Sequence, residues 1–264
     1  MKSKAHAHPP AHAKPQQPSK GPKSRLDVLL VERGLAPSRE RAQALLLAGQ
    51  VRVNGARAEK AGTQILQDAR LEIVGEALRY SSRGGLKLEG ALEDFGLTPS
   101  GRVCLDVGSS TGGFTDCLLQ HAARKVYAVD VTVHQLDWKL QQDPRVVMVE
   151  RNARYLQLAD LPEKPEFVVV DVSFISVTKI LPPLMPIAAP HTDFLILVKP
   201  QFELERGEIG KGGIVRDPAL HEKAVARVQS AANHAGLDVL AIKPSRLEGA
   251  EGNREFFLHA RPRG

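Results

Sequence analysis

Two periodicities divide this chain of 264 residues. Leu26, Leu29 and Leu30 recur at helical spacing, and Ser24 stands three residues before Asp27 like the start of a capped helix. Gly34 sits where a helix C-terminus wants a left-handed residue. Ser38 is placed to cap a second helix with Ala42, Leu45 and Leu46 on its apolar face, and Gly49 ends it. Val51 and Val53 then alternate with Arg52, Asn54-Gly55 marks a hairpin turn, and 65–74 supplies more strand-like sequence. From residue 101 the pattern becomes short apolar runs, 103–107, 126–130, 146–149, 167–171 and 194–199, separated by helix-length segments. That alternation predicts an α/β domain with a mostly parallel, Rossmann-like sheet, preceded by a small α+β domain. Pro182, Pro183, Pro186 and Pro190 leave room only for a short or kinked helix, and the glycines of 205–217 suggest a mobile loop. Residues 1–23, almost without apolar side chains, are expected to be disordered, with 24–78 and 79–264 as the two domains.

Apolar residues make up 42% of the chain, enough for a core, yet no run approaches the ~18 residues of a membrane helix. No apolar segment near the start suggests a secretion signal, so a cytoplasmic location and no membrane partner are expected. Two cysteines, Cys104 and Cys117, are too few for a disulfide framework or a four-cysteine zinc site, and no structural metal is expected. Charge changes the picture more. The first 80 residues carry 14 Lys/Arg against seven Asp/Glu, and the remaining 184 carry 22 against 23. A front end that meets a polyanion and a nearly neutral back end follow from that asymmetry.

At 103–107 a predicted strand runs into Gly108-Ser109-Ser110-Thr111-Gly112-Gly113 and then a helix beginning near Phe114. Glycines suit a turn where backbone approaches a ligand, and the helix points its N-terminus at it. The spacing is not that of a dinucleotide-binding turn, which disfavours an oxidoreductase. Asp106 precedes the turn, and an acid there suits a cationic ligand better than a phosphate. Asp130 ends the next strand, where a carboxylate takes ribose hydroxyls. The expected cofactor is S-adenosylmethionine, held by Asp106, Gly108, Ser109, Ser110, Gly112, Gly113, Phe114 and Asp130, with Asp160 a candidate for the adenine amino group.

Four further polar residues are expected at the ligand-binding ends of the strands: Lys87 on a helix before the first strand, Asp171 and Lys199 at strand ends, and Glu255 at the start of the last strand. A ribose hydroxyl is a poor nucleophile whose proton must leave as the methyl arrives. An ordinary lysine amine is neutral only about once in a thousand at pH 7, so a base of this type needs a second cation or burial to tune it and carboxylates to orient it. The assignment is Lys199 as base, Asp171 and Glu255 as orienting carboxylates, and Lys87 as modulator and ribose contact. Trp138 and Tyr155 are expected in the core more readily than on a ligand. Phe174 and Phe202 are candidates to wall the target pocket.

The order helix–Gly–helix–Gly–strand–Asn-Gly over about 25–80 resembles the small RNA-binding fold of a ribosomal small-subunit protein, also carried by pseudouridine synthases and bacterial tyrosyl-tRNA synthetases. The resemblance implies RNA contact through Arg25, Arg39, Arg41 and Arg52, with Arg83 nearby. Lys87, Asp171, Lys199 and Glu255 around the Gly-rich turn resemble the FtsJ-type RNA ribose methyltransferases. Ser82-Arg83-Gly84-Gly85-Leu86-Lys87-Leu88, Asp171-Val172-Ser173-Phe174 and Val198-Lys199-Pro200-Gln201-Phe202-Glu203 narrow the resemblance to the TlyA family, also called haemolysin A. It covers about 25–262 and implies 2′-O-methylation of cytidines in ribosomal RNA, so ribosomal RNA or ribosomal subunits are the expected partners. Two rivals are a non-catalytic ribosome-assembly factor and a membrane-active haemolysin, the latter requiring a spanning or strongly amphipathic segment that is not visible.

Overall fold

A computed structural model describes residues 21–263, apart from 37, 48, 59, 75–78, 250 and 251. Most of the tail expected to be disordered, 1–20, and the linker position Leu78 lie outside the described residues. Lys23 does not belong to a tail: it opens strand β1 (Lys23–Arg25). This strand is followed by α1 (Leu26–Glu32), α2 (Arg39–Leu47), β2 (Val51–Val53), β3 (Ala56–Ala58), β4 (Gln64–Leu66) and β5 (Leu71–Ile73). Strand β2 pairs antiparallel with β3 and β5, and β1 with β4. Asn54 and Gly55, at φ 51° and 83°, make the left-handed turn that the right-handed twist of β2 and β3 demands. Leu26, Leu30, Ala42, Leu46 and Val51 are fully buried between the helices and the small sheet.

Ser24 does not cap α1. Its backbone pairs with Ile65 in the β1–β4 ladder, and Arg25 takes the cap position without a side-chain bond. Asp27 works differently from a capping-box acid. Its buried carboxylate accepts hydrogen bonds from Arg25, Arg39 and Gln43, and the Arg25 guanidinium above all holds it below the usual carboxylate range. Ser38 does cap α2, accepting from the Arg41 N–H at 3.2 Å.

The rest of the chain forms α3 (Gly84–Phe95), β6 (Val103–Val107), α4 (Gly113–Gln120), β7 (Lys125–Asp130), α5 (Trp138–Gln141), β8 (Val146–Glu150), β9 (Phe167–Val170), α6 (Leu181–Leu184), β10 (Asp193–Val198), α7 (Pro200–Glu203), α8 (Pro218–His234), β11 (Leu237–Pro244) and β12 (Phe256–Pro262). Seven strands make one sheet in the order β11-β12-β10-β9-β6-β7-β8. Strands β10, β9, β6, β7 and β8 run parallel, whereas β12 is antiparallel to both its neighbours. Alternate residues of the central strands feed two cores, as the twofold repeat of a strand requires. Leu105, Val168 and Ile196 pack towards α6 and α8, while Cys104, Val169 and Leu197 pack towards α3 and α4. Strand β11 and helix α8 were not singled out in the sequence, although Asp217 caps α8 and Pro218 opens it.

Register decides what stands at the upper edge of this sheet. Val107 is level with Val170, so Gly108 and Asp171 leave adjacent strands together. Val198 is level with Phe256 across an antiparallel pair, so Lys199, which follows β10, faces Glu255, which precedes β12. At the lower edge, Asp193 is buried. Burial opposes its charge, but hydrogen bonds from His259, Arg261 and Arg102 outweigh that and hold the carboxyl below its ordinary range.

The two parts of the molecule meet through Arg41, which donates to the carbonyls of Tyr80 and Ser81 at 3.0 and 3.1 Å. The Ser81 N–H in turn donates to Asp116 on α4 at 2.7 Å. Segment 205–217, expected to be loose, is tethered: Asn253, 1% exposed, accepts from the Val215 N–H and donates to the Gly213 carbonyl. Among the described residues no helix is long and apolar enough to cross a membrane.

Candidate active site

A cavity of about 500 Å³ opens at the upper edge of the sheet, between the turn after β6, the first turn of α3 and the segments after β9 and β10. Lys87, Asp171 and Lys199 line it. Lys199 Nζ pairs with the Asp171 carboxylate and donates to Ser173 Oγ at 2.9 Å. Lys87 Nζ pairs with the Glu255 carboxylate, which is 2% exposed. Glu255 responds to the whole set: burial pushes its carboxyl up, Lys87 and then Lys199 pull it down, and Asp171 pushes it up again. The four residues named from sequence thus form two ion pairs in one electrostatic field. Such an arrangement can hold a proton at one nitrogen and balance it without bulk solvent.

The Gly-rich turn forms the opposite wall. Gly108 has φ 90°, and a Cβ there would stand 2.2 Å from the carbonyl oxygen of Asp171. This glycine brings the turn against the segment carrying the Lys199 partner. A Cβ on Gly113 would stand 2.2 Å from Ser82 Oγ and 2.9 Å from the Gly85 nitrogen, so the first turns of α3 and α4 interlock there. At these two positions the glycine answers to protein packing as much as to any ligand. Gly108, Ser109, Ser110, Gly113 and Phe114 line the cavity. Gly112, at φ 92°, instead packs behind it on Leu136 and Leu140.

Asp106 lies beneath the turn and does not line the cavity. The twofold repeat of β6 aims it with Cys104 towards α4, where its Oδ2 accepts from the Thr115 hydroxyl at 2.6 Å. It is fully buried, and that burial above all pushes it up to about 7, with Asp171 and Asp130 adding to the rise against the Thr115 hydroxyl. Its Oδ1 and the Ser109 Oγ are buried without a hydrogen-bond partner. Orphaned polar atoms beside a turn of this kind fit a polar ligand there. Asp130 holds the turn from outside, accepting from the Ser110 and Thr132 N–H groups at 2.9 and 3.2 Å, and each oxygen has a second lone pair for a hydroxyl. Asp160 accepts from the Gln157 N–H and pairs with Arg151.

The arginines expected on RNA divide. Arg25 and Arg39 converge on Asp27 yet keep about half their side-chain surface exposed, 44% and 52%. Arg52 lies along the hairpin, donating to the Gly55 carbonyl. Arg83 borders the cavity. Arg41 faces the joint between the two parts, because the Tyr80 and Ser81 carbonyls need donors there. Trp138 and Tyr155 are not core residues; they are 55% and 61% exposed, on the connections that follow β7 and β8. Phe174 is 92% exposed at φ 64°, a backbone strain that a bulky residue rarely sustains, and its ring lies 5.4 Å from that of Phe202.

The sequence reading missed Ser173, although it lies inside a quoted motif. It also missed that Gln43, Ala44 and Leu47 of α2 line the cavity. Leu47, 61% exposed, was the available signal: the run Leu45-Leu46-Leu47 is too wide for a helix with one buried face.

A family model described as FtsJ-like methyltransferase matches residues 80–262, and one described as S4 domain matches 24–71. YqxC of Bacillus subtilis is 50% identical over 239 residues, covering 90% of this chain and 85% of its own. The 16S/23S rRNA (cytidine-2′-O)-methyltransferase TlyA of Mycobacterium tuberculosis is 45% identical over 241 residues, covering 90% of each. A solved structure named as a hemolysin from Streptococcus thermophilus superposes with a TM-score of 0.73 at 45% identity, covering 92% of this chain and 89% of that one.

Proposed function

The chain belongs to the FtsJ-like methyltransferases, and from that premise we propose that it methylates the ribose 2′-hydroxyl of cytidines in ribosomal RNA with S-adenosylmethionine as donor. The observation that carries the reading is the convergence of Lys199, Asp171, Lys87 and Glu255 beside the turn at Gly108. Residues 24–78 dock the RNA and 79–264 perform the transfer in this proposal.

The turn 108–113 would hold the methionine end of the cofactor and Asp130 its ribose hydroxyls. Bound there, the cofactor supplies an electrophilic methyl group on a sulfonium. Lys199 Nζ accepts the hydroxyl proton as the oxygen attacks, and Asp171 balances the ammonium that results. Ser173 fixes the direction of the amine. Lys87, restrained by Glu255, steadies the target ribose. Arg83 meets the neighbouring phosphate, and Phe174 with Phe202 offers the base an aromatic wall. Arg25, Arg39 and Arg52 contact the RNA backbone further out.

The test is methyl transfer from labelled S-adenosylmethionine to ribosomal subunits and naked ribosomal RNA from cells lacking this enzyme. Label at a cytidine whose 3′ phosphodiester resists alkali is the expected result. Absence of label on every RNA form would leave a non-catalytic RNA-binding factor in its place.

Asp106 gives the cofactor reading a readout apart from turnover. A nearby ammonium or sulfonium favours its ionised form, so below pH 7 binding must expel the proton that burial retains. Affinity is expected to weaken by up to about tenfold per pH unit below ~6 and to level off above ~8. Calorimetry in buffers of different ionisation enthalpy should register the released proton, and Asp106→Asn should remove it. An affinity independent of pH between 5.5 and 8 in the wild type would refute the link. The same raised value makes the ligand-free fold lose stability as pH climbs from ~4 to ~7, because the folded state then binds more protons than the unfolded one.

A further inference from the structure

We infer that Glu203, which does not line the cavity, is a positioning residue that sets Lys199 against Asp171. The inference rests on the reading of Lys199 as the base. Ladder pairing between β9 and β10 ends at Val170 and Ile196, so Asp171 and Lys199 both stand beyond the part of the sheet that would fix their separation. Glu203 supplies the missing tie. It lies on α7, four residues past Lys199, and is 2% exposed. Its Oε1 accepts from the Val177 N–H at 2.8 Å and its Oε2 from the Ser176 hydroxyl at 2.5 Å. Both partners belong to the segment that leaves Asp171 and carries Ser173 and Phe174.

A closed ring results. It runs from Lys199 along α7 to Glu203, across to Ser176 and Val177, back along the chain to Asp171, and through the ion pair to Lys199. The ring is anchored from below, because Arg227 on α8 donates to the Glu203 carbonyl at 2.6 Å. It also encloses Phe174, whose left-handed backbone needs fixed ends to persist. Burying a carboxylate is costly, and burial pushes this one up against the pull of Ser176 and Val177. An apolar side chain would fill the same space at less cost but could not join the two segments.

The experiment compares steady-state methyl transfer to ribosomal RNA by wild type, Glu203→Ala, Glu203→Gln and Ser176→Ala, well below each thermal midpoint, with cofactor affinity measured separately by calorimetry. A displacement of about 1 Å at the base corresponds to roughly a hundredfold loss, so Glu203→Ala is expected to lower kcat about 30- to 100-fold while KM for RNA and the cofactor Kd stay within about threefold. Glu203→Gln can accept from Val177 and donate to Ser176 Oγ, and should recover kcat to within about fivefold of wild type. Ser176→Ala, which removes one bond of the two, should fall between. If Glu203→Ala does not fold, Ser176→Ala decides: an unchanged kcat overturns the inference. So does a loss confined to KM, or a Glu203→Gln variant as poor as Glu203→Ala. Wild-type protein that labels no RNA would instead sink the assignment of the reaction, independently of these ratios.

Discussion

Lys199→Ala is expected to lower methyl transfer about a thousandfold, roughly 4 kcal/mol of transition-state stabilisation, in the middle of the range that a positioned base contributes. Cofactor affinity should stay within about tenfold, because the amine acts on the hydroxyl proton and is needed chiefly as the reaction proceeds. The geometry makes this separation sharp. Lys199 is committed to Asp171 and Ser173, and neither belongs to the turn at Gly108. Truncation also leaves Asp171 without its cation, so some of the loss reflects an unbalanced carboxylate. Lys199→Arg separates these contributions: it keeps a cation near Asp171 but offers no neutral amine at working pH. Measured kcat for Lys199→Arg should remain near that of Lys199→Ala. A variant with arginine that turned over at wild-type rate would show that charge alone, and not proton acceptance, is the contribution of this position.

The second large effect belongs to Gly108→Ala. The substitution forces a side chain into a left-handed backbone, at about 1–2 kcal/mol, and drives its Cβ to 2.2 Å from the Asp171 carbonyl oxygen. Backbone on both sides must yield, and the movement carries Asp171 with it. A loss of at least about a hundredfold in cofactor affinity, together with a thermal midpoint several degrees lower, is expected. Gly207→Ala provides the contrast, since nothing lies within 4 Å of a Cβ there, and should leave affinity and midpoint unchanged. Isothermal titration and calorimetric melting measure both quantities. Undiminished affinity in Gly108→Ala would mean that the turn is not the cofactor cradle.

Much of the molecule was legible because its signals are local. The hairpin at Asn54-Gly55 follows from two residues that tolerate positive φ. The cap at Ser38, the short helix at Pro182 and Pro183 and the strand-to-turn passage at 103–113 likewise depend on neighbours in sequence. Failures occurred where a distant segment competed for the same atoms. Ser24 had the spacing of a cap, but the ladder with Ile65 claimed its backbone. Arg41 had the position of an RNA contact, but the Tyr80 and Ser81 carbonyls drew it inward. Asp106 was read only as an acid before the turn, whereas the parity of β6 also gives its Oδ2 to Thr115 beneath α4 and leaves Oδ1 unpartnered. Trp138 and Tyr155 carry core-like side chains but sit on the connections after β7 and β8, where they stay exposed.

The sequence by itself determined most of the elements, the two-part organisation and the polar residue types near the Gly-rich turn, because helix, strand and turn preferences act over a few residues. Only the tertiary structure decided how those residues meet. Reversal of the last strand carries Glu255 to the edge that Lys199 reaches, although Glu255 precedes its strand and Lys199 follows its own. The register of β6 on β9 sets Gly108 against Asp171, and Glu203 ties together two segments that the ladder no longer holds. These are pairings between residues 26 to 63 positions apart in the chain, fixed by which packing satisfies the most backbone and buried polar groups at once.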